Sequence, residues 1–206
     1  MTFSFSDVQL QQLGERGLVV VDGVAGLGAA RAARAAAQRL VDEHALRPAG
    51  VSRGQVQAGS IRGDLTTFLD DDALPSGFVD VVAALTGVQA ALREQAWLHV
   101  PRRELQLACY LGDNVGYARH RDAFRDALDG RVVGGQRRVT IVYWLNEGWR
   151  LEHGGCLRCF DAEAETFVDI EPVIDRAAIF MSERLEHAVL PSHAARFALT
   201  LWLSPA

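Results

Sequence analysis

His120 and Asp122, two residues apart in His120-Arg121-Asp122, are the side chains around which this sequence can most readily build chemistry. In an extended segment, residues i and i+2 point to the same side. An imidazole and a carboxylate would then enter one cavity together, with Arg121 pointing away. Two such ligands suit Fe(II), and one further histidine would complete a facial triad that leaves coordination positions open. Alone, the H-x-D spacing is a weak signal, because a solvated His and Asp beside a turn reads the same. The third ligand must come from a distant strand, and His153, His187 and His193 are the candidates, since His44 and His99 precede the β-rich half. His187 lies in Glu186-His187-Ala188-Val189-Leu190, followed by a turn at Pro191-Ser192-His193 and the strand Arg196 to Trp202. His153 and His193 read as exposed turn residues. Arg196 can point into the same cavity and offer a planar fork to a carboxylate. Buried without a ligand, that guanidinium would be a costly unpaired charge. A metal triad with an inward arginine suits an α-keto acid that chelates the metal while the arginine holds its far carboxylate.

Several elements must position these groups. Ser6 can cap a short helix through about Glu15, and Gly17 then leads into the compact strand Leu18-Val19-Val20-Val21. The alanine-rich stretch from Ala25 to His44 contains no proline and predicts a helix. A further helix is predicted from Ser76 to about Gln95, with Phe78, Val82, Leu85 and Leu92 on its inner face. Between the two lies a loop from Arg47 through Gly59, rich in glycine and polar residues and suited to closing over a site. After Pro101 short β-rich runs follow: Leu105–Leu111, Val139–Leu145, Cys156–Phe160, Thr166–Ile170, Ala177–Met181 and Phe197–Leu203. Many short strands at this spacing imply a barrel or double-sheet jelly roll. The expected architecture is α+β with a mainly β core and N-terminal helices packed on one face. The expected organisation is one domain over 1–206, with helical support and the loop in 1–100 and the metal-binding β-core in 101–206.

Composition narrows the class. A chain of 206 residues suits one domain and can bury roughly 70% of its unfolded surface. Its formal net charge of −5 supplies no basic field for nucleic acid or an anionic membrane. No apolar run approaches the roughly 20 residues of a membrane helix, and the first residues lack the pattern of a signal peptide. Three cysteines, Cys109, Cys156 and Cys159, are too few for a disulfide framework, so a cytoplasmic location is expected.

The segment Cys109-Tyr110-Leu111-Gly112-Asp113-Asn114-Val115-Gly116-Tyr117-Ala118-Arg119-His120-Arg121-Asp122 resembles the iron-binding motif of the 2-oxoglutarate-dependent prolyl hydroxylases. The nearer likeness is to the hypoxia-inducible-factor prolyl hydroxylases and their bacterial relatives. It continues through Arg138-Val139-Thr140, Tyr143-Trp144-Leu145-Asn146, Gly154-Gly155, Asp169-Ile170-Glu171-Pro172, Asp175-Arg176 and His187 with Arg196 nine residues on. Ser60-Ile61-Arg62-Gly63-Asp64 is similar to the segment leading from that family's substrate loop. The resemblance implies a double-stranded β-helix with iron held by His120, Asp122 and His187. It implies that Arg196 binds the far carboxylate of 2-oxoglutarate, with Tyr110, Thr200 and Trp144 around the cosubstrate. Tyr117 would face the substrate, and Asp64 would pair with Arg137 to tie the substrate loop to the core. Trp144 departs from the pattern, standing where these enzymes usually place a second tyrosine. The implied cofactors are Fe(II), 2-oxoglutarate and O2, with ascorbate as a supporting reductant. The implied reaction is hydroxylation of a prolyl residue in a protein or peptide, releasing succinate and CO2; no nucleic-acid or membrane partner is expected. A small-molecule hydroxylase on the same scaffold is the alternative, and a catalytically silent ligand-binding sensor is a third.

Other signals read as structural. Cys156-Leu157-Arg158-Cys159 spells C-x-x-C but lies in a predicted strand rather than at a helix N-terminus, where a thiolate would be stabilised. Gly23-Val24-Ala25-Gly26-Leu27-Gly28 joins a strand to a helix without the acidic residue of a dinucleotide site. Ser182 near His187 lacks a nucleophile elbow.

Overall fold

The computed structural model describes residues 3–50, 62–95, 98–123, 136–161 and 165–206. Most of the expected substrate loop, and most of the connection from Asp122 to Arg137, lie outside these residues. Three α-helices are described, α1 (Asp7–Arg16), α2 (Leu27–Asp42) and α3 (Val79–Arg93). The strands are β1 (Leu18–Asp22), β2 (Arg47–Pro48), β3 (Leu65–Phe68), β4 (Arg102–Tyr110), β5 (Val115–His120) and β6 (Val139–Trp144). They continue with β7 (Leu157–Asp161), β8 (Thr166–Ile170), β9 (Arg176–Met181), β10 (Glu186–Ser192) and β11 (Arg196–Ser204).

Local chemistry sets the helix ends. Ser6 and Gln9 form a reciprocal capping box at the start of α1, and Gly17 ends it in the left-handed conformation. The alanine-rich helix is shorter than expected at both ends. Ala25 and Gly26 form the turn into α2, where their N–H groups donate to the Asp175 carboxylate at 2.8 and 2.9 Å. The anion on this strand-to-helix turn is therefore the protein's own side chain. Tyr143 donates its hydroxyl to the same carboxylate at 2.8 Å, which ties α2 to the sheet.

Two antiparallel sheets make up the β-core. The larger runs β1-β9-β6-β11-β4-β3-β2 and the smaller β5-β10-β7-β8, a double-stranded β-helix with helices on one outer face. The first half of the chain contributes β1, β2 and β3 to the larger sheet as well as the helices. Alternation along the central strands assigns the two faces. Phe197, Leu199, Leu201 and Leu203 of β11 join Ile141 and Tyr143 of β6 and Leu105 and Leu107 of β4 in the helix-side core. Ala30, Ala33 and Ala37 of α2, Phe78 just before α3, and Val82, Leu85 and Leu92 of α3 cover that side. The intervening residues turn inward, where Val142, Trp144, Phe180 and Ala198 form a second cluster. A slip of one residue in β11 would exchange Arg196 and Thr200 for leucines and phenylalanine, so the register itself places the polar residues inside.

Four strands were not anticipated: β3, β5, β10 and the two-residue β2 at the start of the expected loop. The turn expected at Pro191-Ser192-His193 begins later, because β10 runs through Ser192. A register irregularity between Val189 and Ser192 accommodates Pro191, which has no N–H to give a ladder.

Candidate active site

The smaller sheet supplies two of the three expected ligands as neighbours. His120 ends β5 and is the direct register partner of His187 in β10. Asp122 follows in the bend after β5, so the extended alternation has already lapsed there. For the same reason Arg121 does not point away as expected. It lines the same cavity, and its buried Nε has no hydrogen-bond partner.

One ligand atom from each of His120, Asp122 and His187 lies within 4.8 Å of the others. The His120 ring is 4.2 Å from the His187 ring, centroid to centroid. Nδ1 of His120 lies 2.8 Å from the Ala118 carbonyl, and Nδ1 of His187 lies 3.3 Å from that of Leu185. Donation to those carbonyls leaves Nε2 of each ring as the free lone pair, the tautomer a metal requires. Burial holds the His187 imidazolium down to about 4 against the nearby Asp122 carboxylate, so the ring is neutral at pH 7. Burial alone would raise the Asp122 carboxyl, but His187, His120 and Trp202 outweigh it and hold its pKa far below the usual carboxylate range. Two imidazoles and one carboxylate on a shared cavity are a donor set that fits Fe(II). His153 and His193 are not part of it; His153 ends a short 3-10 turn and His193 is exposed.

The larger sheet supplies the opposite wall. Arg196 begins β11 directly across from Tyr110 of β4, and Ala198 lies across from Trp144 of β6. The cavity, about 390 Å³ in volume, is lined by the three candidate ligands together with Tyr110, Tyr117, Arg196 and Thr200. Arg196 is only 4% exposed; its Nε donates to the Gly155 carbonyl at 2.7 Å, while its Nη2 is buried with no partner. Gly155 must lack a side chain, since a Cβ there would sit 2.8 Å from Cδ of Arg196 and its φ is +73°. Trp144 is fully buried, behind the cavity wall formed by Val142, Leu157 and Ala198, and its Nε1–H is also unpaired. The unsatisfied Arg196 Nη2 on the cavity wall fits a carboxylate ligand, since leaving such a group unpaired is costly; Trp144 itself does not line the cavity.

Tyr117 stacks on His120 at 3.6 Å and 18°. The Arg62 guanidinium lies 4.7 Å above the tyrosine ring. The Asp64–Arg137 pair is not formed. Arg62, two residues upstream on the same extended segment, takes both Asp64 oxygens at 2.7 and 2.9 Å and also donates to Gln106. Arg137 instead pairs with Glu104 at 3.1 Å and lies 3.6 Å over the Trp202 ring. Both Asp64 and Arg137 still line the cavity. Sequence reading missed Thr140 and Trp202 as neighbours of the candidate ligand Asp122; each donates to its Oδ2. Nothing local to either residue signals this. Ser182 turns to Thr140 at 2.8 Å, not to His187.

Residues 105–204 match the 2OG-Fe(II) oxygenase superfamily. Human prolyl hydroxylase EGLN3 is 39% identical over 103 residues, covering 49% of this chain and 40% of that protein. Rat Egl nine homolog 1 is 31% identical over 208 residues, covering 92% of this chain and 56% of that protein. The chain thus spans about half the length of the curated relatives it matches. A crystal structure of a Pseudomonas putida prolyl-4-hydroxylase superposes with a TM-score of 0.82 at 29% identity, covering 97% of this chain and 98% of that one. A Trichoplax adhaerens prolyl hydroxylase in complex with a hypoxia-inducible-factor oxygen degradation domain peptide superposes with a TM-score of 0.82 at 26% identity, over 95% and 87% of the two chains. The chain belongs to the 2OG-Fe(II) oxygenase superfamily. Within it, sequence and fold are of the prolyl 4-hydroxylase type.

Proposed function

We propose that this chain is a dioxygenase dependent on Fe(II) and 2-oxoglutarate that hydroxylates a prolyl residue of a protein or peptide substrate, with succinate and CO2 as co-products. The observation that carries this reading is the shared cavity: His120, Asp122 and His187 on one wall, with the buried, unpaired Nη2 of Arg196 on another. His120, Asp122 and His187 would hold Fe(II), and Arg196 would hold the far carboxylate of 2-oxoglutarate with Trp144 as a second donor. Tyr110 and Thr200 would line the cosubstrate, and Tyr117 the substrate. When bound, the metal and cosubstrate supply the oxidation; the protein supplies ligand geometry and charge compensation.

A peptide substrate is supported by exposed Phe68, 59% accessible, on the cavity lining, so the cavity reaches the surface. It is also supported by relatives that are prolyl hydroxylases, one of them solved with a peptide. Asp64 would act on substrate through Arg62, and Arg137 through the cavity mouth. We read the chain as one domain and, from its three cysteines, its location as cytoplasmic. Among the described residues no helix is long and apolar enough to cross a membrane.

The test is succinate formation from 2-oxoglutarate with Fe(II) and a panel of prolyl peptides, with mass spectrometry of the peptide and His187→Ala as control. A mass increase of one oxygen on proline, lost in the variant, is expected. Turnover with free amino acids but with no peptide would replace this reading by a small-molecule hydroxylase. Inactivity of the wild type and variant alike would leave a ligand-binding sensor.

A further inference from the structure

The carboxylate of Asp122 is held from two sides by residues on adjacent strands of the larger sheet. Thr140 of β6 and Trp202 of β11 are direct register partners, and Glu104 of β4 lies opposite Trp202 on its other flank. The row Thr140, Trp202, Glu104 therefore crosses three strands. Thr140 donates its hydroxyl to Oδ2 of Asp122 at 2.8 Å, and the Trp202 indole N–H donates to the same oxygen at 3.0 Å. The Thr140 proton faces Asp122, so the neighbouring Ser182 hydroxyl, 2.8 Å from Thr140, donates into Thr140. Thr140 and Ser182 are fully buried and Trp202 is 6% exposed. The indole is fixed in turn, because Arg137 stacks on its face at 3.6 Å and is anchored to Glu104.

We propose that Trp202 and Thr140 are positioning residues that present Asp122 to the metal in one orientation, and that Arg137 is the clamp on Trp202. This rests on the metal site put forward above. Asp122 sits in a bend after β5, and no sheet register holds its side chain. The two donors on one oxygen supply from the opposite sheet the rigidity that the bend lacks. Removing such an outer partner of a metal ligand typically weakens metal affinity by about 10- to 100-fold. The arrangement also gives Arg137 a task in this chain other than an ion pair with Asp64. Arg137 and Trp202 line the cavity with Phe68, so a substrate that displaces Arg137 from Glu104 acts on the wall that holds the metal carboxylate.

The probe is Co(II), titrated into metal-stripped protein by calorimetry and by its visible absorption. Trp202→Phe keeps an aromatic ring under Arg137 and deletes the N–H together with some ring volume; Thr140→Val deletes the second donor at nearly constant volume and Thr140→Ser restores it. Each deletion is expected to weaken Co(II) binding by about tenfold and alter the absorption bands, with Thr140→Ser near wild type. Arg137→Ala is expected to weaken binding by a smaller factor, with Arg137→Lys retaining it. Thermal unfolding of the metal-free variants separates positioning from a general loss of structure. Wild-type Co(II) affinity and spectrum in both Trp202→Phe and Thr140→Val overturn the proposal. If Trp202→Phe does not fold, the Thr140 pair alone decides it. His187→Ala serves as reference: if it too binds Co(II) as wild type does, the metal site itself is misassigned. If it alone loses Co(II), the site stands and only the positioning roles fall.

Discussion

Trp144→Phe tests whether the departure from tyrosine at this position serves the cosubstrate. In the ligand-free protein the indole N–H is buried among Val142, Phe180 and Ala198 with no acceptor. An unpaired buried donor costs about 1–3 kcal/mol, and a hydrogen bond to a charged group contributes about 1.5–3 kcal/mol. If the far carboxylate of 2-oxoglutarate fills this gap together with Arg196, Phe forfeits that bond. At 1.4 kcal/mol per decade, the loss is about 10- to 100-fold in affinity. Stability of the ligand-free protein moves the other way, because Phe removes the unpaired donor. The smaller ring leaves a void whose cost, about 1–3 kcal/mol, is of the same size, so the two nearly cancel. Trp144→Tyr returns a hydroxyl donor and is expected to bind within about tenfold of wild type. Calorimetric titration of 2-oxoglutarate into the Mn(II)-loaded proteins reads the affinity, and thermal unfolding without ligand reads the stability. Unchanged 2-oxoglutarate affinity in Trp144→Phe would refute the reasoning and leave Trp144 as packing behind the cavity wall. A drop in affinity with an equal drop in ligand-free stability would refute it too, since damage to the core would then explain both.

Three further outcomes follow from other parts of the molecule. Asp175→Ala removes the acceptor shared by Ala25, Gly26 and Tyr143 and leaves three donors without it; a loss of about 3 kcal/mol or more is expected in chemical denaturation, and a loss under about 1 kcal/mol would show that α2 docks without it. Burial pushes the Cys109 and Cys159 thiols up to about 12, so neither should react with iodoacetamide at pH 8 in the native protein, whereas both should in denaturant; rapid native alkylation of Cys159 would contradict its place in the core. The metal-free protein should lose stability as pH falls from about 6.5 toward 4, because His187 is protonated in the unfolded chain well before the folded one. Ionised Asp122, held far below its usual range, adds a loss of the same sign at still lower pH. Replacement of His187 by Asn should flatten the upper part of that profile in thermal melts, and an unchanged slope would count against the buried neutral imidazole.

How far such a site can be read from sequence depends on the distance over which its contacts are set. The spacing of His120 and Asp122 was legible as a motif, although the strand ends at His120 and the bend that follows turns Arg121 inward as well. β6, β9 and β11 were legible because both of their faces are buried, one against the helices and one in the barrel, so each reads as a nearly unbroken apolar run. β5 and β10 carry half-exposed, polar and proline residues, and their pairing contains irregularities, so no alternation announces them. They are nevertheless the strands that bring His120 beside His187. That pairing joins segments far apart in the chain, and only the family-like flanks singled out His187 among three histidines. The same reason explains the misread ion pair. Asp64 and Arg137 are distant in sequence, whereas Arg62 lies two residues from Asp64 and takes it by a local fork. Arg137, freed from Asp64, stacks on Trp202 at the edge of Asp122's hydrogen bonds. Any account of substrate entry must therefore treat Arg62–Asp64 and Arg137–Trp202 as two separate walls: one beside Tyr117, the other bonded to Asp122.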